Sequence, residues 1–184
     1  MLPSIIDLWQ AGRGRRAALA AIGPLVDRSR ERLNGIADIA WLDPYMIGFL
    51  VMLITLIARH KVGVLDSDAL GIVQREAWAE ITGLKAELIG EEIFHLSANS
   101  HKEFEAGCRN AVVFHETLSR ISSVGEEPLP DFSMAVANAT SPFRALDDGE
   151  AAIAESASIA SLWHQYFDEH IPPRREDVGG EGIG

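Results

Sequence analysis

Apolar positions recur along this chain at three- and four-residue steps, and no stretch keeps the two-residue alternation of a half-buried strand. The pattern predicts helices throughout. A short amphipathic segment, Pro3 to Gln10, leads to the pair Gly12 and Gly14, and the alanine-rich run Arg15 to Ile22 favours helix. Gly23-Pro24 is expected to break or kink that helix before Leu25 to Leu33 resumes it, because proline lacks the amide hydrogen. Asn34-Gly35 is a stop signal, followed by a brief helical turn over Ile36 to Trp41.

The block Tyr45 to Ala58 carries no charge and is apolar around its whole circumference. A helix of that kind must be enclosed by protein or by lipid. Asp43-Pro44 reads as an N-cap and first helical residue, and Arg59, His60 and Lys61 complement the dipole at the other end, with Gly63 as the stop. Fifteen charge-free residues from Pro44 to Ala58 span about 22 Å, short of the ~30 Å of a bilayer core, so the expectation is a buried central helix.

Leu65-Asp66-Ser67-Asp68 offers another N-cap, and the next helix has the stripe Leu70, Val73, Ala77, Trp78 and Ile81, with Thr82-Gly83 closing or bending it. Lys85 to Ser97 places Leu88, Ile89, Ile93 and Leu96 on one face. Ser100 and Glu103 have capping-box spacing ahead of the stripe Phe104, Cys108, Ala111, His115 and Leu118. Two prolines in 126–131 deny helix, a short segment spans Phe132 to Ala139, and a last helix carries Ile153, Ala157, Ala160, Trp163 and Phe167.

Charge modifies this picture. The net value is −11, which argues against a general nucleic-acid binder. Residues 1–35 hold six arginines against three acids, a net +3, and leave −14 on the remainder. A basic arm can dock on its own acidic body, on a second subunit or on an anionic surface. Cys108 is the only cysteine, so no intrachain disulfide forms and a cytoplasmic setting is the expectation. On an apolar stripe, it reads as a structural thiol.

Glu92 and His95 form a Glu-x-x-His, which on a helix sets carboxylate and imidazole on one side, as in helical-bundle metal sites. Those sites need a second such pair, and the sequence has a single copy; His115, on the stripe of the following helix, is the remaining candidate ligand. Glu92 is placed on the Ile89 and Ile93 face, where a buried acid must neutralise, pair or bind a cation. His101 with Glu105, Glu91 with His95 and His164 with Asp168 read as solvent-face helix pairs. No zinc-type cysteine pairs, phosphate loop or nucleophile elbow occurs.

The expected fold is all-α, a single-domain bundle of about six to eight helices around a central apolar helix at 44–60. Its parts are a basic N-terminal helical arm (1–35), a helical core (36–125), a proline-containing linker (126–131), a C-terminal helical segment packing on the core (132–171) and a disordered tail (172–184). The expected function is a soluble protein-interaction or assembly protein, homo-oligomeric and most simply a homodimer, with a possible protein partner, no cofactor and no catalysis of its own. Phe49, Met52, Leu56, Trp163, Tyr166 and Phe167 are its interface candidates, because large aromatic side chains dominate binding hot spots, and Arg13, Arg15 and Arg16 are its docking arm. A metal-binding or acid–base enzyme using a divalent metal at Glu92, His95 and His115 is the alternative. Peripheral membrane attachment is the second alternative.

Overall fold

The computed structural model describes residues 5–85, 87–124 and 157–172. Among these residues the chain is helical with no strand. The helices are α1 (Ile5–Arg32), α2 (Asp38–Trp41), α3 (Pro44–Val62), α4 (Ser67–Thr82), α5 (Glu87–Ala98) and α6 (Lys102–Val124). A further helix, α7, covers 157–166 and runs into a single 3-10 turn at Asp168–His170. The expected linker at 126–131, residues 132–156 and the tail from Pro173 onward lie outside the described residues.

α3 is the axis of the bundle, packed against α1, α4 and α6. Its ends follow from local chemistry. The Asp43 carboxylate accepts from the amides of Tyr45 at 2.9 Å and Met46 at 3.4 Å, which satisfies first-turn donors that have no helical partner. Gly63 ends the helix with φ at 80°, a conformation that a Cβ would strain. By length and composition α3 could cross a membrane, yet 67% of its apolar window is buried inside this chain. Among the described residues its neighbours are protein helices.

The closest packing is between α3 and α6, and two glycines permit it. A Cβ at Gly107 would stand 2.7 Å from the Phe49 amide nitrogen and still closer to the Tyr45 carbonyl oxygen; one at Gly48 would overlap the Phe104 carbonyl. Each helix therefore presses its backbone into the gap left by the other's missing side chain. Cys108, next to Gly107, points its Sγ at the Gly48 carbonyl at 3.5 Å. Burial, reinforced by Glu105 and offset in part by Arg109, pushes its thiol up to about 11.

α1 is one continuous 28-residue helix through both Gly12–Gly14 and Pro24, so of the break or kink expected at Gly23-Pro24 the break does not occur. Pro24 sits on the exposed side, and so does Ala20, whose carbonyl it deprives of a donor. Water can satisfy that carbonyl, so the helix continues. The opposite face buries Ala11, Gly14, Ala18, Ile22, Val26 and Ser29 along its whole length. Gly14 lets α1 approach Ala58 of α3, where a Cβ would lie 3.1 Å from the alanine methyl.

The capping box expected at Ser100 and Glu103 does not form. Ser100 is left-handed, with φ at 48°, and the His101 carbonyl accepts the first helical bond of α6, from Glu105 at 3.0 Å.

Substitutions test the close crossing. Gly107→Ala drives a methyl into the α3 backbone and should destabilise the fold by about 1–3 kcal/mol or more. Gly12→Ala, where a Cβ meets nothing within 4 Å, should stabilise α1 by roughly 0.5–1 kcal/mol. Thermal melts by circular dichroism should show Tm falling in the first variant and rising in the second; no loss in Gly107→Ala would mean a looser crossing.

Candidate functional site

The polar residues singled out in the sequence do not converge. Glu92 and His95 are both exposed on α5, and the Asn99 amide lies 3.3 Å from the His95 ring nitrogens. Glu92 was expected on the apolar face. In the structure it reaches water, so the desolvation that would have demanded a partner or cation does not arise. His115 is half-buried on α6 and faces His60 of α3, ring centroids 5.8 Å apart, with its Nε2 3.4 Å from the Ser119 hydroxyl. Among the described residues no three of His, Cys, Asp or Glu are grouped as metal ligands would be.

The interface candidates separate by burial. Phe49, Trp163 and Phe167 are buried within this chain and form an aromatic cluster with Trp41 and Phe114. Phe49 meets Trp163 at 5.9 Å and Phe167 at 6.4 Å, and Trp163 stacks on Phe167 at 4.3 Å. These three rings are therefore core and are not presented to a partner. Met52, Leu56 and Tyr166 are half-buried. The Tyr166 carbonyl accepts from the Tyr45 hydroxyl at 2.9 Å, and the Asn110 amide donates to that hydroxyl at 3.0 Å. Burial raises the Tyr45 phenol above its ordinary value. The Tyr45 ring also stacks on His170 at 3.6 Å.

A buried polar cluster that the sequence did not reveal fastens the C-terminal segment to α1. Trp163 Nε1 donates to Ser29 Oγ at 2.9 Å, and Ser29 Oγ donates to Asp168 Oδ1 at 2.5 Å. Arg32 pairs with the second oxygen of Asp168, and His164 Nδ1 lies 3.3 Å from it. The His164–Asp168 pair is thus no solvent-face pair, since Asp168 is buried. Its sequence signal was a serine on an otherwise apolar stripe of α1. All its members are consumed in joining two segments of the chain, so the cluster reads as a clasp.

The three arginines diverge. Arg15 docks on the chain's own α4, 2.9 Å from Glu76 and 4.0 Å from Glu80. Arg13 places its guanidinium 4.8 Å from the centroid of the Trp9 ring, and Arg16 is exposed. Ahead of them the first turns of α1 expose Ile5 (86%), Ile6 (67%), Leu8 (49%) and Trp9 (59%). A contiguous apolar group of that kind, flanked by cations, is a surface feature that burial leaves unexplained; Ile39, Val64 and Phe94 are also exposed, but each on a separate segment.

A cavity of about 520 Å³ opens between α2, the end of α4 and α5. Trp78 and Ile89 are its buried floor, Leu42 and Leu84 line its sides, and the exposed Lys85, Glu91 and Glu92 stand on its rim. Local chemistry shapes it. Gly83 adopts a left-handed conformation to end α4, and Thr82 Oγ1 accepts from the Leu84 amide at 3.1 Å, which turns the chain back over Trp78. Arg30 donates to the Ile81 carbonyl and lies 5.7 Å from the Trp41 ring centroid, tying the far end of α1 to this region. No family model, curated protein or solved structure matches this chain.

Two measurements probe these contacts. Ser29→Ala leaves the Trp163 indole and the Asp168 carboxylate short of a buried partner and should cost roughly 1–3 kcal/mol, read as a lower Tm; an unchanged Tm would remove the clasp. The second is pH. Burial, then the neighbouring His60, holds His115 below its ordinary 6.5, and burial does the same to His170. The unfolded chain therefore takes up protons first, so this stability is present above pH 6.5 and is lost as pH falls through the folded values. Tm should decline between pH 7 and 5.5, and more gently in His115→Gln.

Proposed function

We propose that this chain is a helical interaction and assembly protein that associates with further copies of itself, in the cytoplasm. The observation that carries the reading is the exposed apolar end of α1, where Ile5, Ile6, Leu8 and Trp9 stand in solvent beside Arg13 and Arg16. Large apolar side chains clustered at the surface favour association, because covering them removes apolar area from water. The site of association moves from the aromatic C-terminal helix to α1, since Trp163 and Phe167 already pack inside the chain.

Light scattering on eluting protein tests this reading. Above the 20.0 kDa of one chain, the mean mass should rise with concentration, and Ile5→Ser with Trp9→Ser should hold it at one chain. A wild-type protein that stays at one-chain mass into the millimolar range would overturn it.

Peripheral membrane attachment is supported by the same α1 end, since a tryptophan beside arginines suits the boundary between headgroups and acyl chains. In that reading the wild type sediments with anionic vesicles at low salt and is released as salt rises.

A further inference from the structure

The exposed end of α1 and the cavity beside Trp78 are complementary and lie at opposite ends of the molecule. Arg30 contacts Ile81 and Trp41, which adjoin the cavity residues Leu42 and Leu84. Trp9 is 21 residues upstream on the same helix. At the helical rise that is about 30 Å, too far for the apolar end to reach its own cavity.

The two surfaces match in polarity. At one end Trp9 and the isoleucines project, with Arg13 packed on the Trp9 ring and Arg16 on the same side two turns along. At the other, an apolar floor is rimmed by Glu91 and Glu92, which leave a net negative rim after Lys85. The cavity's 520 Å³ falls within the ~300–1,000 Å³ range of pockets that enclose ligands of several ring sizes. The wider charge split, +3 on residues 1–35 against −14 elsewhere, acts in the same direction.

We infer that the α1 end of one copy seats in the acidic-rimmed cavity of the next, joining chains head to tail. This rests on the self-association proposed above and names its two surfaces. The contact is heterologous, so it closes into a ring or extends into an open chain. Four protruding side chains are few against the roughly 20–30 residues a side of a standard stable interface. The association is therefore concentration-dependent, and its rim ion pairs make it weaken with salt.

Complementary loss-of-site variants provide the test, with mass read by light scattering on the full chain. Ile5→Ser with Ile6→Ser disables the projecting end while keeping Arg13 and Arg16, and Glu91→Arg with Glu92→Arg disables the cavity by repelling those arginines, so the two disabled surfaces do not fit each other. Each variant alone should remain at one-chain mass. Mixed in equal amounts, they should form one complex of two chains and nothing larger, because each supplies the surface the other has lost. Trp9→Ser serves as an independent end variant, and circular dichroism melts confirm folding. Self-association by the cavity variant alone, or a mixture that stays monomeric, overturns the head-to-tail contact while a self-associating wild type preserves the broader reading. A monomeric wild type overturns both. Sedimentation of that monomer with phosphatidylserine-containing vesicles, lost in Trp9→Ser, would assign the α1 end to lipid instead.

Discussion

Two helices in this fold touch through their main chains. At the crossing of α3 and α6, Gly48 and Gly107 leave room for the opposing carbonyls of Phe104 and Tyr45, with no side chain between them. Interiors are packed like crystals, so a spacer as small as a methyl would displace α6 as a body. The position of α6 decides where Phe114 meets Phe49 and Trp163, where Asn110 meets Tyr45 and where His115 meets His60. The aromatic cluster and the hydrogen bonds to the C-terminal segment are thus arranged around one glycine-enabled contact.

The C-terminal segment is held in two ways. Trp163 and Phe167 supply apolar area against Phe49 and Trp41, while Ser29 and Asp168 fix its register along α1. Apolar burial alone is non-directional and tolerates sliding. A short chain of hydrogen bonds from indole to hydroxyl to carboxylate does not, because a displaced segment would bury those groups unpaired. Arg32 supplies the compensating charge that a buried carboxylate requires.

Much of the fold was legible in the sequence because its signals are local. Asp43-Pro44 and Gly63 delimit α3, and Asp66 and Gly83 delimit α4, through caps that depend on neighbouring residues alone. The continuity of α1 was not legible, since it turns on which side of the helix Pro24 and Ala20 face. Nor could the periodicity separate an aromatic stripe covered by its own chain from one awaiting a partner: Trp163 and Phe167 give the same pattern in both cases. Glu92 illustrates the reverse, an acid beside apolar neighbours whose carboxylate nevertheless lies at the rim of a cavity. The candidate association surfaces were hidden for a related reason. The cavity among them joins residues from α2, α4 and α5, which are distant in sequence and meet only in the packed bundle.

Cys108 gives the glycine crossing a chemical readout. Electrophiles react with thiolate, and a thiol held near 11 against the Gly48 carbonyl contains almost none at neutral pH. Separating α6 from α3 would expose the half-buried sulfur fully and return it to an ordinary acidity. As the chain has no other cysteine, the rate at which an alkylating reagent consumes the native protein, set against the rate for the unfolded chain, reports how strongly this crossing suppresses the half-buried thiolate.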